Sequence, residues 1–559
     1  MTQQKARLSQ ELRRYSQVIA VLTRYGFEDI LSRLNARHDI PLEDKMFKGK
    51  IHNIKTLSTP QRVRLALEEL GPTFVKFGQT LSSRPDLLPD DFIKELSKLQ
   101  DDVSPFSFQD VRVIVKEQLG SPIEKLYDEF EKKPRAAASL AQVHYARTKT
   151  GEEVAVKVQR PGIEGVIDTD LLVLRKLATL AEHHLPEFAF FEPVAIIDEF
   201  ARTLYRELDF VREGRNANRF REFFKDDEQV HVPEIYNDLT APKVLTMEYI
   251  RGTKVSECAA LDELGLDRKI IAVNGANLIL KEIFDFHRFH ADPHPGNLFV
   301  LERNVIAPVD FGMIGVLDEK TVDQLSVIFT AIVDKDAESM ANILLQMCRA
   351  AQPIQTRPIQ LELSDLLERY DEVSLQQLYM KDMVGDVIGI FRRYNLHFPQ
   401  ELVKVTRSLL MIESVGCKLY PEFNVFEIMK PFARKLMIRR FDPTTRVRNF
   451  VRTVDESVLL LKTLPSDVRE ILTKIKQNEF TIQFEHRGLD RMNVNLNRSS
   501  NRLSFAIVIA ALVIGSSNVL QTGIGPKVFG FPLPGFAGFL LATILGLWLL
   551  IGIIRSGQL

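Results

Sequence analysis

The chain has 559 residues, of which 45% are apolar and 26% charged, with a formal net charge of −1. That length exceeds one ordinary hydrophobic core, so two or more structural units are expected, and the composition excludes a disordered chain. The near-neutral balance leaves no global attraction to nucleic acid, so no nucleic-acid partner is expected, and any pull towards anionic membranes must be local.

Met1 to Tyr15 is polar and has no apolar segment of the kind that directs secretion. Residues 1–130 read as a helical extension: Leu8 to Leu34 carries apolar residues at helical spacing, and Pro60 to Leu70 and Asp91 to Leu99 repeat that habit. The pattern changes near Lys133, where a strand-rich segment, residues 131–255, begins. Gln142 to Arg147 and Glu153 to Gln159 alternate like half-buried strands, and Lys149-Thr150-Gly151-Glu152 between them signals a hairpin. Val166 to His184 and Pro193 to Phe224 read as helices, Val230 to Tyr236 and Lys243 to Tyr249 as strands, and Gly252-Thr253 as a turn. Residues 256–490 are mostly helical, with helices running from Asp318 to about Lys476 and a polar link at Asn493 to Asn501. Strands first and helices later predict an α+β, two-lobed arrangement. Cys258, Cys348 and Cys417 share no metal-ligand spacing and read as reduced, structural thiols in an intracellular compartment.

The C-terminus differs in kind. Leu503 to Thr522 carries no charge, and roughly 30 Å of helix from that run is enough to cross a bilayer core. Phe536 to Ile554 is a second uncharged run, and a Gly/Pro-rich turn, Gly523 to Gly535, lies between them. Arg487, Arg491, Arg498 and Arg502 precede the first run and Arg555 follows the second, so the positive-inside rule puts both ends in the cytoplasm. The expectation is a transmembrane hairpin with helices at residues 503–522 and 536–554. The competing expectation is a buried helical hairpin in a soluble core.

Chemistry concentrates in His290-Ala291-Asp292-Pro293-His294-Pro295-Gly296-Asn297 and, further on, Asp310-Phe311-Gly312. Aspartate, asparagine and a second aspartate in that order and spacing suit phosphoryl transfer on a kinase-type scaffold. Asp292 faces the acceptor, while Asn297 and Asp310 hold the metal that neutralises phosphates. The two prolines make the first stretch a rigid loop, which disrupts the helical spacing that a zinc site built on His287, His290 and His294 needs. Lys157 lies in the alternating Glu153 to Val158, and a lysine on a half-buried strand face requires an anion such as a phosphate or a carboxylate. Upstream of it runs Pro134-Arg135-Ala136-Ala137-Ala138-Ser139-Leu140-Ala141-Gln142, whose small side chains let backbone N–H groups approach phosphates. The alanines also fit plain helix.

Together the alanine loop, the strand lysine, the His-Ala-Asp-Pro-His-Pro-Gly-Asn stretch and Asp-Phe-Gly resemble the UbiB family of atypical, protein-kinase-like proteins. Two further hallmarks match: Lys76-Phe77-Gly78-Gln79 and Glu207-Leu208-Asp209, with Glu213 beyond. Lys76 and Gln79 share a helical face, as do Asp209 and Glu213. Glu207 and Asp209 cannot on a regular helix, so either the helix is irregular there or one of them stays out of the site. Glu213 is the favoured partner of Lys157, with Glu207 as the alternative.

The resemblance implies a two-lobed kinase-like fold whose helical extension packs over the active site, with Lys76, Gln79, Glu207, Asp209 and Glu213 as occluding or regulatory residues. It implies ATP between residues 134–142 and Lys157, magnesium on Asn297 and Asp310, and Asp292 with Lys157 as catalytic residues. It also points to the bacterial inner membrane, with the catalytic part on the cytoplasmic side. The implied role is in ubiquinone biosynthesis, extracting or presenting lipid quinone precursors to the biosynthetic enzymes. The alanine loop, and Ala291 where kinases usually carry arginine, argue against a peptide acceptor, so hydrolysis or phosphorylation of a small molecule or lipid stands equally with it. The alternatives are an ATP-binding scaffold without turnover and a small-molecule phosphotransferase. The apolar hairpin and the Lys76 motif speak against the latter.

Overall fold

The structure is a computed structural model that describes residues 2–34, 56–82, 84, 87–99, 103–185, 191–334, 336–350, 355–371, 380–394, 396–397, 399–441, 489–522, 526–528 and 531–555. The chain divides into two units, Met1–Arg446 and Val447–Leu559.

The first unit opens with α1 (Thr2–Arg24), α2 (Glu28–Arg33), α3 (Thr59–Leu70), α4 (Pro72–Ser82) and α5 (Asp90–Leu96). Ser58 and Gln61 start α3 with a reciprocal capping box, and Pro60 sits in its first turn, where a missing N–H is tolerated. Gly78 lets α4 pack closely: a Cβ there would stand 2.4 Å from Leu99 and 2.7 Å from Leu67.

A lobe follows with α6 (Phe108–Leu119), α7 (Ile123–Leu126), β1 (Tyr127–Phe130), β2 (Ala136–Ala137), β3 (Ala141–Thr148), β4 (Glu153–Gln159), α8 (Ile163–His184), α9 (Pro193–Glu207), α10 (Phe210–Phe223) and β5 (Val244–Glu248). Its antiparallel sheet runs β1-β3-β4-β5, with β2 also on β3. Strand alternation decides what faces the cleft. Val154, Val156 and Val158 are fully buried with Val111 and Val115 of α6, which leaves Glu153, Ala155 and Lys157 on the other face. The helical extension is locked onto this lobe. Arg14 of α1 pairs with the buried Asp170 of α8 at 2.6 Å and donates to the Leu70 carbonyl, while Ile19, Phe74, Leu96, Ile167 and Leu204 form one apolar cluster.

The second lobe contains β6 (Thr253–Lys254), α11 (Cys258–Glu263), α12 (Arg268–Phe284), β7 (Arg288–His290), β8 (Leu298–Val300), β9 (Ile306–Pro308), β10 (Ile314–Val316), α13 (Glu319–Asp334), α14 (Ala337–Met347), β11 (Arg349–Ala350), α15 (Thr356–Asp371), α16 (Met380–Arg393), β12 (Leu396–His397), α17 (Gln400–Leu419) and α18 (Val425–Phe441). α12 is buried on most of its surface and packs on α17. Two small antiparallel pairings place the chemistry. β7 pairs with β10, joining His290 to Ile314, and β8 pairs with β9, joining Leu298 to Pro308. The loop carrying Asp292 and the loop carrying Asp310 are thereby pinned side by side at both ends.

The expected α+β, two-lobed, kinase-like architecture is the one observed, and several of its elements differ in detail. The single helix expected over Pro193 to Phe224 is two helices, broken at Leu208 and Asp209, where Asp209 takes extended backbone and caps α10 by accepting from the Arg212 N–H. Val230 to Tyr236 is extended but joins its neighbours only through isolated bridges, since Pro233 has no N–H to give a ladder. The polar link at Asn493 to Asn501 is helix, continuous with the apolar run after it. The expected helices of residues 442–476 lie outside the described residues. The three thiols are unpaired.

The second unit contains α19 (Leu489–Thr522), β13 (Lys527–Val528), β14 (Phe531–Pro532) and α20 (Leu533–Arg555). α19 and α20 pack on each other along small residues: a Cβ on Gly538 would stand 2.2 Å from the Ser516 hydroxyl, and Ala542 is buried. Leu503, Ile507, Leu540, Leu547 and Trp548 are exposed. Ser500–Gln521 and Leu533–Leu550 are long and apolar enough to cross a membrane, and only 6% and 11% of their residues are buried.

Candidate active site

Lys157 projects from the cleft face of β4, and its ammonium donates to both carboxylate oxygens of Glu213 on α10, at 2.8 and 2.9 Å. The Phe210 ring lies 5.2 Å away. Glu207 meets a different cation, Lys76 of α4, at 3.2 Å. The break at Leu208 and Asp209 is the reason, because Glu207 ends α9 whereas Glu213 lies within α10, so the two carboxylates are not bound to one helical face. Asp209 is spent on its cap. Gln79, expected beside Lys76, donates to the Leu99 carbonyl at 3.1 Å and ties α4 to the segment after α5.

The loop residues form a connected cluster. Asn297 donates through Nδ2 to Asp310 Oδ2 at 3.1 Å, and the Gly312 N–H donates to Asp310 Oδ1 at 3.0 Å. With the amide so oriented, Asn297 Oδ1 remains as an oxygen donor beside a carboxylate, which suits a hard divalent cation. Magnesium takes one or two carboxylates together with phosphate oxygens. His290 spans the two loops: Nε2 donates to the Asp310 carbonyl at 2.5 Å, and Nδ1 accepts from the Asp292 N–H. His294 accepts the Gly296 N–H through Nδ1. Among the described residues no group of three or more His, Cys, Asp or Glu side chains converges on a metal position.

Electrostatics follow from burial and pairing. Burial opposes the charge of Asp310, but Lys157, His290, the Gly312 N–H and Lys76 outweigh it and bring the carboxyl down to about 2. Burial likewise opposes the Lys157 charge, and the Glu213 and Asp310 carboxylates overcome it, holding the ammonium above its ordinary value. Burial raises Glu213 to about 7 against the pull of Lys157, with Asp310 adding to the rise. Glu207 is raised by burial too, opposed by Lys76 and reinforced by Asp310 and Asp292. Lys76 therefore stands at the Asp310 end of the cleft.

The alanine loop is neither helix nor an open cradle. Ala136 and Ala137 pair with Val143 and Gln142 as a two-residue strand, and the Ala138 N–H donates to the Ala141 carbonyl across a tight turn. Leu140 joins the apolar cluster of the helical extension, and Arg160 donates to the Ser139 carbonyl. Of the side chains expected at the nucleotide, Gln142 is fully buried and accepts the Phe106 N–H, Ser139 is buried, and Arg135 lies over the Tyr145 ring. The Leu140 and Gln142 side chains are thus taken up by packing and a local hydrogen bond, and the Arg135 and Ala138 N–H groups by the hairpin itself. A cavity of about 1010 Å3 opens next to it, lined by Arg135, Tyr145, Tyr249, Gly252 and Phe299, where residues 249–252 connect the lobes.

One pair of residues carries no motif. Arg407 of α17 places Nη2 3.0 Å from Asp292 Oδ1, and the neighbouring Ser408 hydroxyl donates to the His290 carbonyl at 2.7 Å. The only signal for them in the sequence is a basic and a hydroxyl residue side by side just ahead of the apolar run Leu409 to Ile412.

Three family models match the chain: the ABC1 atypical kinase-like domain over residues 98–344, the UbiB helical domain over 363–424 and the ABC1/UbiB kinase-like C-terminal domain over 487–555. The chain is 34% identical over 551 residues to an "Uncharacterized protein in hydrogenase 1 5'region" of Clostridium pasteurianum, covering 98% of this chain and 99% of that one. It is 35% identical over 451 residues to a "Probable protein kinase UbiB" of Azotobacter vinelandii, covering 78% and 83%. Among solved structures, the Rv3197–erythromycin complex from Mycobacterium tuberculosis matches with a TM-score of 0.46 and 22% identity over 65% of this chain and 93% of that one.

Proposed function

Because this chain belongs to the ABC1/UbiB family of atypical kinase-like proteins, we propose that it is a membrane-anchored enzyme of magnesium–ATP phosphoryl chemistry, with water or a lipid or small-molecule hydroxyl as acceptor. The observation that carries this reading is the convergence of Lys157–Glu213, Asn297–Asp310 and Asp292 in one cleft. Magnesium–ATP, when bound, supplies the labile γ-phosphoryl bond and the neutralisation of its charge. Asp310 and the Asn297 amide oxygen are the residues to hold the metal. Lys157, oriented by Glu213, is the cation for the phosphates. Asp292 orients the attacking oxygen as base or hydrogen-bond acceptor.

The placement of Lys76 and Glu207 at the Asp310 end of the cleft supports an occluded site over one that accepts a peptide. The two apolar helices, flanked by Arg491, Arg498, Arg502 and Arg555, support anchoring in the bacterial inner membrane with the catalytic unit on the cytoplasmic side. The resemblance supports a role in ubiquinone biosynthesis, in which turnover helps to extract or present lipid quinone precursors to the soluble enzymes. The second reading, an ATP-binding scaffold without turnover, is favoured by the Arg407 ion pair that ties down Asp292. Labelled ATP with the full chain in bilayers, with and without quinone precursors, separates them. Release of labelled phosphate or a labelled lipid supports the enzyme, and tight binding with neither product supports the scaffold.

A further inference from the structure

A cavity of about 1170 Å3 lies between the α4–α5 segment and helices α13, α14, α16 and α17. It exceeds the roughly 300–1,000 Å3 of most small-ligand sites. Its walls among the described residues include Ile328, Phe329, Met340, Met383, Leu402 and Leu410. Nearly all of these are core side chains: Met340 is 2% exposed and Met383 3%. Apolar walls of this kind complement an alkyl chain. Methionines adapt to irregular apolar shapes, and apolar walls give water few partners.

Arg407 is common to this cavity and the catalytic cleft. It lines the cavity while its Nη2 pairs with Asp292. Its Nε is buried without a hydrogen-bond partner, and a buried guanidinium N–H without an acceptor is costly. The lining also carries Lys94, Lys381, Asp382, Asp386 and Glu413, and among its described cations Arg407 is the one with a buried, unpartnered N–H. Apolar walls with that donor are the complement of an amphiphile with an acidic oxygen head.

We propose that this cavity binds the apolar chain of a single-tailed amphiphile whose acidic oxygen head sits on the Arg407 guanidinium, beside Asp292. This assignment rests on the reading of the protein as one that handles membrane lipid, and it gives that lipid a place and a head-group contact.

The test uses the full chain in lipid nanodiscs, with diazirine-bearing palmitic acid as the probe and labelled peptides identified by mass spectrometry, all without nucleotide. Label is expected on α16 and α17, displaced by unlabelled palmitate. Narrowing the cavity with Leu410→Trp, or independently with Ile388→Trp, lowers that label about tenfold, and Arg407→Gln weakens palmitate competition about tenfold through loss of a charge-assisted contact. Melting curves identify any variant that fails to fold, and in that event the competition on the unaltered protein decides. Label confined to α19 and α20, label in the cavity that palmitate does not displace, or label indifferent to all three substitutions overturns the assignment. Cavity label in a protein that never turns over ATP rejects the enzymatic reading and keeps this one, while turnover without cavity label does the reverse.

Discussion

Two lysine–glutamate pairs stand in the same cleft and are built differently. Lys157 leaves a strand laddered on both sides, and Glu213 is 2% exposed and engages it with both oxygens. Lys76 rides on a helix of the extension and meets the last residue of α9 at 3.2 Å, with both side chains partly exposed. The first pair is fixed by backbone hydrogen bonds on the lysine side, and the second depends on the packing of α4 around Gly78 and on Gln79. The difference teaches that identical chemistry can be built to two degrees of rigidity: in the proposed function the first pair is a preorganised cation for phosphate and the second a separable plug.

The largest expected effect comes from breaking the rigid pair. Lys157→Met is expected to lower phosphate release about 10²–10³-fold, as loss of a preorganised charge does, and an unchanged rate would remove Lys157 from the chemistry. Breaking the second pair is expected to act on stability first. Lys76→Ala strands Glu207 near Asp310 and Asp292 at a cost of about 1–3 kcal/mol, read by denaturant unfolding. Adding Glu207→Gln restores most of it, and simple additivity of the two changes would deny the coupling.

Smaller still is Gly78→Ala. Its Cβ meets the flexible ends of Leu99 and Leu67, so about 1–2 kcal/mol is expected, and a neutral result would show that α4 is not tightly seated. A pH slope is expected from Glu282, which sits behind the loop carrying Asp292. Burial pushes its carboxyl from 4.5 to about 8, against the one N–H it accepts from His290. A folded-state value above the unfolded one means that the stability Glu282 contributes is full below about 4.5 and is lost as pH rises through about 8. The melting advantage of Glu282→Gln over the unaltered protein should therefore grow across that window and level off above it, and a constant gap contradicts the buried neutral acid.

Much of the architecture was legible because period and punctuation agree. The alternation from Glu153 to Gln159 is the observed strand, and the spacing of Asp292, Asn297 and Asp310 puts all three at one pair of pinned loops. What the pattern hides is what tertiary context decides. Nothing local says that the chain breaks between Leu208 and Asp209, so the choice between Glu207 and Glu213 needed a three-dimensional answer. The alanine run fits helix, strand or loop equally well, and only its pairing with β3 and the burial of Leu140 select a hairpin. Arg407 is invisible because its partner, Asp292, lies far away in sequence and is brought near by the packing of α17 on α12.

The central claim is that Asp310, held down to about 2 with Asn297 beside it, carries the metal for phosphoryl chemistry. Phosphate release from ATP by the full chain in nanodiscs, titrated with magnesium, tests it most directly. The account predicts magnesium-dependent release that Asp310→Asn reduces about a thousandfold while the melting temperature stays near that of the unaltered protein. Release by Asp310→Asn at an undiminished rate and with the same magnesium dependence would contradict it.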